Sequence, residues 1–186
     1  MKNAKAMLGA LAVLATLALA TTAVAAVVIK GTDRDDLITG TDRNDRIFGK
    51  KGNDTINALA GNDRIHGNQD NDTIDAGSGD DRVWGGHGND KLAGGEGNDV
   101  LRGRPGDDTL DGGPGNDRMW PGRGADTQNG GDGDDVLHAL ARDNQVDMID
   151  CGPGNDIVVL NAKETTDVHV NCETVKTVSR DDGSDS

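Results

Sequence analysis

From Gly31 to His138 the chain repeats a nine-residue unit twelve times without insertion or deletion, and nothing else in it limits the possible folds so tightly. GGHGNDKLA (85–93) and GGEGNDVLR (94–102) show the pattern: Gly at places one, two and four, Asn-Asp at five and six, an aliphatic residue at eight. The sixth place is always Asp: Asp36, Asp45, Asp54, Asp63, Asp72, Asp81, Asp90, Asp99, Asp108, Asp117, Asp126 and Asp135. The fifth is Asn or Asp except at Ala125, and the eighth runs from Ile38 to Leu137 with Gln128 as its one polar member.

A short strand over places seven to nine, with Gly-rich turns between strands, accommodates the pattern. Gly at places one, two and four is expected to supply positive φ for those turns. Two turns and two strands make an 18-residue coil, so units of like parity stack about 4.8 Å apart along an axis. Twelve units give six coils. Low hydrophobicity and high net charge would otherwise leave such a chain disordered, so stacking needs a further source of stability. The sixth-place Asp residues supply it. Stacked turns bring these carboxylates together across gaps lined by carbonyl oxygens, and a hard divalent cation taking six to eight oxygens turns the repulsion into binding. Calcium suits that role better than magnesium with its strict octahedron.

In GGHGNDKLA, GGEGNDVLR, GGPGNDRMW (112–120) and GGDGDDVLH (130–138) the chain resembles the RTX, or haemolysin-type calcium-binding, repeat family, whose motif is G-G-x-G-x-D-x-U-x. The resemblance implies an all-β fold, a right-handed parallel β-roll over 27–138, with several calcium ions held in the turns by sixth-place Asp and backbone carbonyls. The first units depart from the motif: Arg34 and Arg43 stand where Gly is expected, and Lys50 and Lys51 enter the third. Calcium is least expected there, and a capping role is an equal alternative.

Residues 1–26 read as a secretory leader: Lys2 and Lys5, an apolar run from Met7 to Ala20, and the small-x-small site Ala23-Val24-Ala25, with cleavage after Ala25. The expected location is therefore extracellular, with no membrane span once the leader is gone. Its loss leaves 17 Lys and Arg against 33 Asp and Glu, which makes nucleic acid a poor partner by net charge. After His138 the register slips. Asp147, Ile149 and Asp150 fit places six, eight and nine after a three-residue insertion, and CGPGNDIVV (151–159) is a final unit with Asp156 at place six. Residues 139–178 are expected to form degenerate repeats and a cap, tied by a Cys151–Cys172 disulfide suited to an oxidising compartment, and 179–186 a disordered tail.

No segment remains to house an enzyme, and neither H-E-x-x-H nor G-x-S-x-G occurs. His66, His87, His138 and His169 have no ligand spacing. The outward places are more informative. Even units rank Arg46, Arg64, Arg82 and Arg118 beside Phe48, His66, Trp84, Arg102, Trp120 and His138; odd units rank Thr55, Thr73, Thr109 and Thr127. Two expectations follow for the even face: cross-strand ladders that stabilise the sheet, or a docking surface for a glycan or cell-wall polymer centred on Arg64, Arg82, Trp84, Arg118 and Trp120. Ice binding on the Thr face is a third. Function is thus expected to be calcium binding by a structural or surface-associated module, with polymer binding as the alternative.

Overall fold

The computed structural model describes residues 11–14, 26–140, 143, 145–162 and 167–178. Eighteen strands, from Leu11–Leu14 to Thr174–Val178, divide by turns between two nine-stranded sheets. Every neighbouring pair is parallel, as in Thr73–Ser78 beside Lys91–Glu96 or Arg64–Gln69 beside Arg82–His87. The result is a parallel β-solenoid of about eight turns rather than six. The sheets are named odd and even after the units whose eighth places they carry.

The additional turns lie where the nine-residue pattern fades. Val28–Lys30 starts the even sheet before the first unit, pairing Ile29 with Ile47. Beyond His138 the coils change length but keep stacking: Gln128 pairs with Ile149, Leu137 with Val158, Ile149 with His169 and Val158 with Val175. The expected cap is therefore more of the same coil. Leu11–Leu14 lie along Asp36–Thr39 at the N-terminal edge of the odd sheet. The rest of the expected leader before Ala26, and the expected tail over 179–186, lie outside the described residues.

Burial along the strands follows the period of two. In Thr73–Ser78 and most of its counterparts the eighth place is buried and the seventh exposed, but the strand continues through places one to three of the next unit. Strands of six residues replace the three expected, and the first place becomes a second inward position. Ile38, Ile47, Ile56, Ile65, Ile74, Leu101 and Leu110 at place eight, with Ala58 and Ala76 at place one, form a single core. Gln128 is buried in the same row, its Nε2 donating to the His138 carbonyl.

This geometry corrects the reading of the glycines. Gly95 and Gly97, at places two and four, have φ of 101° and 133° and need the freedom to adopt the left-handed region. Gly94, at place one, has no such φ; a Cβ there would overlap the Asp99 carboxylate, so this place requires a small residue for room. Ala58, Ala76, Pro121 and Cys151 at other first places agree with that reason.

Cys151 and Cys172 form the expected disulfide, with Cα atoms 5.2 Å apart and a sequence separation of 21. It clamps the last coils, whose outward Met148, Val168 and Val170 are exposed. Closing a loop of this length contributes about 3 kcal/mol. Replacing both cysteines by Ser should lower the denaturation midpoint in calcium, with amide exchange accelerated first in the strands after Asp147. Uniform acceleration along the whole solenoid would contradict a local clamp.

Candidate metal centre

Each turn sets its sixth-place Asp inside the solenoid just before the strand begins. From Asp36 to Asp135, and again at Asp147 and Asp156, these residues are buried. Their backbones and side chains interlock from coil to coil. The N–H of Asp72 donates to Oδ1 of Asp90 at 2.8 Å, Asp90 donates to Asp108 at 2.8 Å, and Asp81 to Asp99 at 2.8 Å. One carboxylate oxygen thus caps the preceding coil. The other has nothing. Oδ2 of Asp54, Asp63, Asp72, Asp81, Asp90, Asp99, Asp108, Asp117, Asp126, Asp135 and Asp156 is buried without a hydrogen-bond partner.

A buried charged oxygen without a donor is unstable unless it gains a proton or a cation. Burial pushes Asp72 and Asp108 up to about 8, with neighbouring carboxylates adding to the rise and the N–H bond from the preceding coil opposing it. For the same leading reason Asp63, Asp117, Asp126 and Asp147 rise to about 7, and Asp54, Asp90, Asp99 and Asp135 to about 6.

The surrounding donors are backbone oxygens. A Cβ on Gly94 would meet both Asp99 Oδ2 and the Gly112 carbonyl, and one on Gly103 both Asp108 Oδ2 and the Pro121 carbonyl, so a carbonyl of the next coil stands on the same side as each Oδ2. Among the described residues no three His, Cys, Asp or Glu side chains converge as a metal cluster. Few carboxylates and several carbonyls, all oxygen, fit a hard cation and not a transition metal.

The first two turns are built differently. Thr32 donates its N–H to Oδ2 of Asp36, and its hydroxyl also reaches that carboxylate; Thr41 does the same for Asp45, its N–H at 2.7 Å. Asp36 and Asp45 are therefore satisfied within the chain. Thr at place two, which sequence reading passed over, is the signal that marks these turns.

Three further carboxylates continue the columns. Asp147 accepts from Asp126, Asp167 accepts from Asp147, and Glu173 accepts from Asp156 at 2.8 Å. Asp147 was legible from the register; Asp167 and Glu173 were not singled out, although each directly precedes a strand. A second ladder runs the other way through the fifth place. Asn89 donates its N–H to Oδ1 of Asn71 at 2.7 Å, and Asn98 to Asp80 at 2.9 Å, so each fifth-place side chain caps the following coil.

On the even face Arg64, Arg82, Trp84, Arg118 and Trp120 fall in the expected ranks. The rings stack on one another: Phe48 on His66 at 5.2 Å, His66 on Trp84 at 4.4 Å, Trp120 on His138 at 4.6 Å, with Arg102 over Trp120 at 5.0 Å. On the odd face Lys91 stands between Thr73 and Thr109, and Met148 follows Thr127, breaking the Thr rank.

Fold and turns together define a cation-binding β-solenoid in which stacked turns offer buried carboxylate and carbonyl oxygen. A family model for the RTX calcium-binding nonapeptide repeat matches residues 30–65, 39–74, 59–92, 66–101, 93–128 and 129–162, and the chain belongs to that family. No curated protein matches the chain.

Two outcomes follow. Because these carboxyls hold protons in the folded state that the unfolded chain, near 3.8, has lost, the calcium-free fold gains stability as pH falls. That gain disappears as pH rises through about 6 to 8. Circular dichroism in chelator should show more strand at pH 5 than at pH 8; the reverse order would contradict it. Replacing Asp90 or Asp99 by Ala should raise the calcium midpoint severalfold and broaden the transition, since each links two coils in a nearly one-dimensional array. Asp36→Ala, behind Thr32, should shift it little; equal shifts would place the cations elsewhere.

Proposed function

We propose that the protein is an exported structural module whose solenoid forms when several calcium ions fill the gaps between stacked turns. The ions would be held by Asp54, Asp63, Asp72, Asp81, Asp90, Asp99, Asp108, Asp117, Asp126, Asp135 and Asp156 with backbone carbonyls, leaving Asp36 and Asp45 to a calcium-free end. The observation that carries this reading is the unbroken row of buried Oδ2 atoms with no donor. A hard cation supplies the missing charge and accepts several oxygens at once. The regular column argues for binding and not for acid-base chemistry. Export rests on residues 1–25 as a leader, which predicts a mature chain beginning at Ala26 and fits the Cys151–Cys172 disulfide. Polymer binding on the even face is favoured by its cations. Stacking is the weaker route, because the rings already cover one another's faces.

Extracellular modules bind calcium with dissociation constants of about 0.1 to 1 mM. At neutral pH, circular dichroism should show coil in chelator and parallel-strand signal on adding millimolar calcium, with magnesium much less effective. Equal strand content in chelator would overturn the proposal.

A further inference from the structure

Charge is divided between the two sheets far more sharply than the net charge suggests. The nine strands of the even sheet contain ten Lys or Arg and no Asp or Glu; those of the odd sheet contain one Lys and six acids. Arg46, Arg64 and Arg82 follow one another in register at place seven, and Val100 then separates Arg82 from Arg118. All four are exposed. Like charges directly opposite on adjacent strands repel and weaken the sheet. The strands that carry them hold no acid, although the Asp80 carboxylate in the turn before Arg82 interacts with that guanidinium.

A second line of cations borders the rank. An open cleft is lined by Lys30, Lys50 and Lys51, with one acid, Asp33, and with Phe48, Asn68 and Gln69. It meets, at Asn68 and Gln69, another lined by His87 and Arg104 together with Trp84. Lys50 and Arg104 occupy the second place with φ of 96° and 89°, a conformation that Gly adopts without strain. Asn68 on the same edge and Leu59 on the odd edge take that conformation too, with φ of 88° and 80°, so these second places hold a cation at two of four such positions.

From these features we infer that the even face binds a linear acidic polysaccharide laid along the solenoid axis. The inference rests on the calcium-folded solenoid and names the partner of its even face. Its cationic rank runs strand to strand in register, with Val100 as its one interruption between Arg46 and Arg118, and repeats about every 4.8 Å, close to the length of one sugar along an extended chain. Anionic groups on such a chain stay in line with the rank, whereas the phosphates of a nucleic-acid duplex wind away from it. Neutral glycans recognised by stacking need free ring faces, and here Phe48, His66 and Trp84 stack upon one another. Calcium also removes the long-range objection to a polyanion. Without the leader the chain carries 33 acidic and 17 basic side chains, an excess that eight calcium ions would cancel.

Dextran sulfate and dextran, which share a backbone and differ in charge, provide the test. Calcium-loaded protein should bind dextran sulfate with an affinity that falls steeply with salt, and should ignore dextran. Arg46→Gln, Arg64→Gln, Arg82→Gln and Arg118→Gln combined should weaken binding at least tenfold with the calcium-induced dichroism intact. Lys91→Gln on the odd sheet should leave it unchanged. Equal binding of dextran, tighter binding of single-stranded or duplex DNA, or an unaffected quadruple variant would each overturn the inference. A chain that folds in calcium but ignores dextran sulfate sinks this inference alone; one that stays unfolded in calcium sinks the metal reading as well.

Discussion

Everything in this solenoid depends on one carboxylate oxygen per turn that the polypeptide leaves without a donor. Oδ1 of each interior sixth-place Asp is held by the N–H of the coil before it, which fixes the side chain and leaves Oδ2 buried with no donor. Stacking such carboxylates in a column raises their affinity for a proton, burial acting first and neighbouring carboxylates adding to it. A cation or a proton is what such an oxygen lacks, and the calcium-binding repeat family to which the chain belongs points to the first. The same carboxylate explains glycine at most first places, where a Cβ would meet Oδ2 as at Gly94 and Gly103.

Stability along the axis is transmitted by two ladders with opposite sense. Sixth-place carboxylates cap the coil before them and fifth-place amides and carboxylates cap the coil after, so each turn is held from both sides. Removing one rung disturbs nearest neighbours first, as expected of a quasi-one-dimensional array. The ends depart from this scheme in different ways. Thr32 and Thr41 substitute side-chain and backbone donors for the cation at one end; Asp167, Glu173 and the disulfide close the other.

Much of this was legible in the sequence because a nine-residue period without gaps leaves few choices. The parallel stacking, the eighth-place core, the ranks on each face and the Cys151–Cys172 pair could all be read from it. What escaped has a physical explanation in each case. First-place Gly looks like a turn glycine until the strand is seen to run through it, since composition does not distinguish a need for space from a need for positive φ. The number of coils was underestimated because stacking tolerates lengths other than 18 when the inward residue remains apolar, as at Ile149 and Val158. Asp167 and Glu173 lay beyond the regular motif, and the role of Thr32 depends on a contact four residues away that no repeat pattern encodes.

The fifth-place and sixth-place ladders repeat every nine residues, yet the two faces repeat only every 18. A duplication or deletion of one nonapeptide would keep core, turns and carboxylate columns in step while sending every later strand to the opposite sheet. Arg118 and Trp120 would then continue the rank of Thr73 and Asp75, and neither face would be uniform. Gain or loss of two nonapeptides together leaves both surfaces coherent. Folding alone would tolerate growth by either step, so in a lineage of such chains a bias toward paired units would be the trace of selection on the surfaces and not on the scaffold.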